Sequence, residues 1–137
     1  MDFESALIQL NQLAKNTLME TLGIKYIEAG PDYLVATMAV TPKVYQPMGI
    51  LHGGATVALA ESVGSAASFL FVNPNKYIVK GIEISANHVK SKKSGVVTAK
   101  ATLIHKGRST HLWQIVIKDE EDNLISICKI TNIVLPK

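Results

Sequence analysis

One acidic side chain lies alone inside a long apolar stretch of the sequence. Glu61 is the only charged residue between His52 and Lys76, and its neighbours are mostly valine, leucine and alanine. Because burying an unpaired carboxylate is costly, a buried glutamate should have a raised pKa and serve as a general base or nucleophile. Ser65 follows one helical turn later and could orient Glu61 or a water molecule. The alternative is structural: Glu61 extends to solvent or binds a neighbouring chain, and Ser65 allows close packing.

Two glycines, Gly53 and Gly54, precede this carboxylate and open the same predicted helix. The free N–H donors and the dipole at a helix start favour a phosphate or a developing oxyanion; the alternative is a flexible turn with no role. Gly53 and Glu61 are eight positions apart, which corresponds to about 12 Å along a helix. One carbonyl cannot contact both within one chain. If both act on one substrate, they come from different chains and the site lies at a two-fold interface.

The remaining sequence must supply the elements that position these residues. Apolar residues at helical spacing predict one or two short helices in the N-terminal segment 1–22, ending near Gly23, and a long helix over 53–72. Alternating apolar residues predict six strands, at 24–29, 33–41, 77–90, 96–105, 111–118 and 124–135. Strands without intervening helices should pair antiparallel. These elements predict a single α+β domain over 1–137, with an antiparallel sheet packed around the long helix.

Composition excludes several classes of protein. The 137 residues are 47% apolar and 18% charged, which excludes intrinsic disorder. A net charge of +3 and only 6% aromatic residues argue against a nucleic-acid partner. A single cysteine, Cys128, excludes a disulfide framework, and four scattered histidines offer no metal-ligand spacing, so we expect no metal and no cofactor.

Membrane and targeting signals are also missing. The apolar stretch 55–72 approaches the length of a membrane span, but Glu61 at its centre favours a buried helix of a water-soluble protein. The N-terminus lacks the basic-then-apolar order of a signal peptide. We therefore expect a cytoplasmic protein with no membrane partner.

Several short motifs together resemble the PaaI-like branch of the hotdog-fold acyl-CoA thioesterases. That branch includes one 4-hydroxybenzoyl-CoA thioesterase type and the 1,4-dihydroxy-2-naphthoyl-CoA thioesterases. The matching segments are Gln46–Gly49, Leu51–Ala55, Leu59–Ser62, Gly64-Ser65, Gly81–His88, Gly107–His111 and Trp113. The resemblance implies a sheet of about five to six strands wrapped around one long central helix, and hydrolysis of a CoA thioester.

The resemblance also assigns roles at the reaction centre. Glu61 would attack the thioester or activate water. The backbone N–H of Gly53 would polarise the thioester carbonyl, with His52 nearby. Gln46 would hydrogen-bond at the thioester, and Ser65 would help to position the water. The acyl pocket is expected among apolar residues of the central helix and the loop around Tyr45.

A second set of residues is expected to hold the nucleotide end of CoA. The resemblance implies Lys90, Ser109 and Thr110, assisted by His88 and Arg108. Relatives often carry arginine where Lys90 stands, and lysine keeps the charge but loses the bidentate contact. From the residues alone, His88 and Lys90 would project to one face of a strand and could contribute to a basic rim for phosphates; a solvated strand end is the alternative.

The resemblance leaves the substrate open. It favours 1,4-dihydroxy-2-naphthoyl-CoA, an intermediate of menaquinone biosynthesis; other aryl-CoA esters of the phenylacetate type and medium-chain acyl-CoA esters are alternatives. A non-catalytic acyl-CoA-binding module is a further alternative, although it would not need Glu61. A hotdog dehydratase is disfavoured because the helix has no paired Asp and His. We expect a homodimer with shared active sites, paired into a homotetramer.

Overall fold

The computed structural model describes residues 2–137, which form one antiparallel sheet and three α-helices. The helices are α1 (Phe3–Leu13), α2 (Leu18–Leu22) and α3 (Gly53–Phe69). The strands are β1 (Lys25–Gly30), β2 (Tyr33–Ala39), β3 (Tyr77–His88), β4 (Val96–Lys106), β5 (Thr110–Lys118) and β6 (Leu124–Pro136). A short 3₁₀ turn, Pro42–Val44, lies between β2 and α3.

The six strands are arranged in the order β1-β2-β4-β5-β6-β3, and every neighbouring pair is antiparallel. The predicted α+β architecture of six strands and one long helix is therefore confirmed. Although β3 follows α3 in the chain, it pairs with the last strand and occupies one edge of the sheet, while β1 occupies the other edge. As a result, β3 has hydrogen-bonding groups with no partner strand on one side.

The central helix packs on one face of this sheet and contacts β2 to β6. Leu59, Ala60, Val63 and Ala67 are fully buried on its sheet side. Gly64 permits the close approach, because a Cβ at this position would lie 2.6 Å from Cγ2 of Ile130 on β6. Any larger residue at position 64 would push the helix away from the sheet.

The ends of α3 have local causes. The helix begins at Gly53 because Nδ1 of His52 accepts hydrogen bonds from the N–H groups of Gly54 and Ala55, at 2.7 and 3.3 Å. It ends at Phe69, three residues before the predicted Val72. The final turn tightens to bonds between residues three apart, and Pro74 then disfavours helical geometry for the residue before it.

The N-terminal helices are attached to the sheet by both apolar and polar contacts. Leu10 of α1 is buried, and the Asn11 side chain forms two hydrogen bonds with the backbone of Tyr26, at 2.8 and 3.0 Å. Gly23 ends α2 in the left-handed region at φ 73°, as the sequence predicts. No helix within residues 2–137 combines the length and apolar character that crossing a bilayer requires.

Candidate active site

Glu61 and Ser65 lie next to each other on α3, above Gly81 of the edge strand β3. A Cβ built on Gly81 would be 3.2 Å from Oε1 of Glu61 and 3.6 Å from Oγ of Ser65. Both side chains also line the same cavity. The prediction that Ser65 shares the Glu61 face is confirmed, and Gly81 is the strand residue that leaves room for both.

The predicted burial of Glu61 is wrong for a single chain, in which this side chain is exposed. The sheet side of α3 buries Leu59, Ala60 and Val63, whereas Glu61 lies toward the free edge at β3. A helix that is apolar on nearly every side gives no periodicity from which the covered face could be recognised. Water is therefore not excluded from the carboxylate by the chain's own core.

The start of α3 forms a second feature, a cavity of about 240 Å³ lined by Gln46, Gly53, His88 and Lys90, among others. A Cβ on Gly53 would lie 3.1 Å from both Cδ2 and Nε2 of the His88 ring, so the glycine allows this approach. Four of the predicted site residues are thus brought together. This cavity shares no lining residue with the cavity beside Glu61.

Hydrogen bonding at the helix start leaves one donor free. The His52 side chain occupies the N–H groups of Gly54 and Ala55. No acceptor within residues 2–137 binds the N–H of Gly53. His52 is therefore the N-cap of α3, and the first N–H of the helix remains available to an external oxygen.

The polar neighbours of this free donor are also oriented. The N–H of Met48 donates to Oε1 of Gln46, which leaves the Gln46 amide N–H₂ available as a donor. The Ser126 hydroxyl lies 3.1 Å from the backbone oxygen of Asn87 and 3.0 Å from Nδ1 of His88, a contact that holds the His88 ring beside Gly53.

The five predicted CoA-binding residues fall into two groups within one chain. His88 and Lys90 line the cavity beside Gly53. Arg108 and Ser109 line another cavity, of about 400 Å³, together with Tyr77. Thr110 follows them at the start of β5, and its backbone oxygen accepts from Gly107.

Strand register separates these two groups. Thr110 is in register with Ile133, which is in register with Lys80. Lys80 is eight residues from His88 on the same strand, a separation of about 26 Å. A single chain therefore does not bring the five expected CoA-binding residues together.

The cavity beside Glu61 has a volume of about 460 Å³ and is mainly apolar. Its walls are Leu10, Leu13, Leu18 and Met19 from the N-terminal helices, Tyr26 from β1, Ala66 and Phe69 from α3, and Val79 from β3. Tyr45 is not among the residues that line this cavity in a single chain, and its contribution to the acyl pocket stays a prediction. The leucines at helical spacing in the N-terminal segment indicate an apolar helix face. Their spacing could not show that this face lines a cavity beside Glu61.

A buried polar cluster beneath the C-terminal half of α3 was not predicted. Oγ of Ser68 accepts from Nε1 of Trp113 at 2.8 Å and from Nδ2 of Asn132 at 2.7 Å, and lies 2.9 Å from Nδ1 of His111. With both oxygen lone pairs used, the Ser68 proton must go to Nδ1 of His111. His111 is therefore neutral and carries its proton on Nε2. Burial, helped by the nearby positive charges of Lys106 and His105, lowers the pKa of His111.

The remaining candidate groups have structural roles or form no site. Cys128 is buried, and burial raises the pKa of its thiol, which disfavours a nucleophilic role. Trp113 is buried and belongs to the hydrophobic core. Within residues 2–137, no three His, Cys, Asp or Glu side chains are grouped as metal ligands would be.

Comparison with known proteins relates this geometry to a family. Residues 48–126 match the thioesterase superfamily. A Pasteurella multocida protein that carries an esterase name is 46% identical over 90% of this chain and 88% of its own. A 1,4-dihydroxy-2-naphthoyl-CoA hydrolase of Listeria monocytogenes is 45% identical over 83% of this chain and 92% of its own. The crystal structure of a mutant thioesterase from Pseudomonas aeruginosa has a TM-score of 0.93 and 42% identity, and the match covers 96% of this chain and 94% of that one. The chain belongs to the thioesterase superfamily, has the hotdog fold and is a thioester hydrolase.

Proposed function

We propose that the protein hydrolyses an acyl-CoA thioester in a site shared by two copies of the chain. Glu61 of one copy would face the helix start of the other. The observation that carries this proposal is the free N–H of Gly53, which remains without an acceptor while the next two donors are capped by His52. This donor and the Glu61 carboxylate line separate cavities of one chain. A second copy supplies the missing half of each site.

The reaction follows from the chemistry of these groups. The N–H of Gly53 and the amide of Gln46 would donate to the thioester oxygen and stabilise its negative charge as the tetrahedral intermediate forms. Glu61 would remove a proton from a water molecule held by Ser65, or attack the carbonyl carbon itself. Collapse of the intermediate breaks the carbon–sulfur bond and releases CoA, whose thiolate takes up a proton. Attack by water gives the free acid directly, whereas attack by Glu61 gives an acyl anhydride that a water molecule then hydrolyses to the free acid and the Glu61 carboxylate. The substrate and the second copy would together exclude bulk water from Glu61, apart from the water molecule that reacts.

The free edge of β3 supports this assembly. Its 12 residues end the sheet, and it carries exposed apolar side chains that include Tyr77 and Ile82. Antiparallel pairing of two such edges places the Tyr77 end of one strand beside the His88 end of the other. Tyr77 lines the cavity that contains Arg108 and Ser109, and His88 lines the cavity that contains Lys90. Dimerisation would therefore combine the two groups of CoA-binding residues.

For the substrate we propose an aromatic thioester, with 1,4-dihydroxy-2-naphthoyl-CoA of menaquinone biosynthesis as the first candidate. The name of the Listeria relative supports this choice, and the apolar cavity beside Glu61 has a volume suited to a two-ring acyl group. Phenylacetate-type aryl-CoA and medium-chain acyl-CoA esters also suit an apolar cavity. We place the activity in the cytoplasm, in a homotetramer formed by two such dimers.

The decisive experiment replaces Glu61 by glutamine and measures hydrolysis of 1,4-dihydroxy-2-naphthoyl-CoA, phenylacetyl-CoA and octanoyl-CoA. Glutamine keeps the size of the side chain but removes the base, so kcat should fall by about 10²- to 10⁴-fold. Glu121→Gln, the same change in the exposed β5–β6 turn, should leave kcat unchanged. Full hydrolysis by Glu61→Gln would disprove the mechanism. Tight binding of these esters by the wild-type protein without turnover would identify a binding module instead.

A further inference from the structure

We infer that the corner between α1 and α2 sets the length of acyl group that the enzyme accepts. This inference rests on the proposed function. Leu13 is the last residue of α1 and Leu18 the first of α2, and both line the cavity that contains Glu61 and Ser65. The two leucines are 55% and 59% exposed. Exposed leucines at the rim of the cavity that contains Glu61 would be covered when an acyl group occupies it.

The occupant follows from the chemistry of the cavity. Its one ionisable carboxylate is Glu61, and the Tyr26 hydroxyl already donates to the backbone oxygen of Ser62 at 3.3 Å. Most other lining groups are apolar. Burial of a hydrocarbon group among them is therefore favourable, whereas a polar substituent would find few hydrogen-bond partners. A thioester carbonyl held at Glu61 would therefore direct its acyl group along the cavity toward Leu13 and Leu18.

The corner is held in place and forms a wall rather than a lid. The Asn11 side chain binds both backbone groups of Tyr26, which attaches α1 to β1. On the other side of the corner, the N–H of Ile24 donates to the backbone oxygen of Met19 at 2.8 Å, which caps the C-terminus of α2 directly before β1. A fixed wall limits the length of the acyl group, since a longer chain must displace the leucines or leave the cavity.

The test measures kcat/KM for saturated acyl-CoA esters from butyryl- to palmitoyl-CoA. Leu13→Ala, Leu18→Ala and the double variant should raise the ratio of palmitoyl- to hexanoyl-CoA hydrolysis by about tenfold, because each removes part of the wall. Leu18→Trp should lower the same ratio by a similar factor. Ile8→Ala is the matched control: it changes a 56% exposed residue of α1 that lines none of the cavities described, and should leave the ratio unchanged.

The outcomes separate this inference from the proposed function. If the wild-type protein hydrolyses CoA esters but none of the leucine variants changes the chain-length ratio, the inference is wrong and the proposed function stands. If the wild-type protein hydrolyses none of the CoA esters, including the aryl esters, the proposed function itself fails. Sedimentation of each variant completes the test, because a changed assembly with an unchanged ratio would assign the leucines to a contact between copies and overturn the inference.

Discussion

Gly81 of β3 lies directly beneath the carboxylate of Glu61, at a distance that leaves no room for a methyl group without adjustment. A Cβ on Gly81 would be 3.2 Å from Oε1 of Glu61 and 3.2 Å from Cδ1 of Ile130. The register between β3 and β6 shifts immediately afterwards, between Gly81 and Glu83. The edge strand β3 thus has both a glycine and a shift in register at the point where the Glu61 carboxylate lies against the sheet.

Replacing Gly81 by alanine should impair turnover more than substrate binding. The new methyl group would displace the exposed Glu61 carboxylate by a few tenths of an ångström, whereas a misplacement of about 1 Å can cost up to 10²-fold in rate. We expect kcat to fall by up to about 10-fold, with a smaller change in KM. Steady-state kinetics measures kcat and KM, and thermal unfolding checks that the variant remains folded. If Gly81→Ala retained the wild-type kcat, catalysis would not depend on this position of the Glu61 carboxylate.

Two substitutions at Gly53 separate the loss of its N–H from the addition of a side chain. Proline removes the N–H and suits the first position of a helix, and the extended backbone of His52 is compatible with a following proline. Alanine adds the same Cβ, 3.1 Å from the His88 ring, but keeps the donor. We expect kcat to fall by about 10²- to 10³-fold more in Gly53→Pro than in Gly53→Ala. Equal kcat values for the two variants would exclude the Gly53 N–H from the reaction.

Mixed dimers test whether the site is shared. Glu61→Gln and Gly53→Pro should each be nearly inactive alone. After unfolding and refolding a one-to-one mixture, half of the dimers contain one chain of each kind, and a shared arrangement restores one of their two sites. The mixture should recover about a quarter of wild-type activity. No recovery, with mixed dimers present by native mass spectrometry, would place Glu61 and Gly53 of one chain in the same site.

Local sequence signals predicted most of the fold. Gly23 in its left-handed conformation ends the N-terminal helices, the Gly53-Gly54 pair opens α3, and the alternation of apolar residues gives all six strands to within two residues. These features depend on residues close together in the chain, so propensity and periodicity suffice to find them. The order of the strands was beyond such signals, because the pairing of β3 with β6 joins residues far apart in the sequence.

Two features of the site depend on contacts between residues far apart in the sequence, so local sequence signals could not predict them. The exposure of Glu61 depends on which face of an apolar helix meets the sheet. The polar cluster around Ser68 depends on strand register, since His111 is in register with Asn132, which is in register with Gly81. Ser68 and Asn132 are 64 residues apart, and their identities carry no local sign of the contact.

The neutral state of His111 makes a measurable contribution to the pH dependence of stability. Its pKa is lowered in the folded protein because the ring is buried, so below the ordinary histidine value of 6.5 the unfolded chain binds the proton more readily. The free energy of unfolding should therefore decrease as the pH falls through 6.5, and this loss is complete below the folded-state pKa of His111. A protonated ring would also direct a third donor at Oγ of Ser68, which already accepts from Trp113 and Asn132.

His111→Gln should remove this component of the pH dependence, because glutamine is polar and of similar size but does not titrate. Urea unfolding of the two proteins at a series of pH values above and below 6.5 measures the difference. His105→Gln is the control, since His105 is exposed and should leave most of the dependence in place. Equal slopes of unfolding free energy against pH in wild type and His111→Gln would mean that His111 titrates alike in the folded and unfolded chains, contrary to the hydrogen-bond pattern around Ser68.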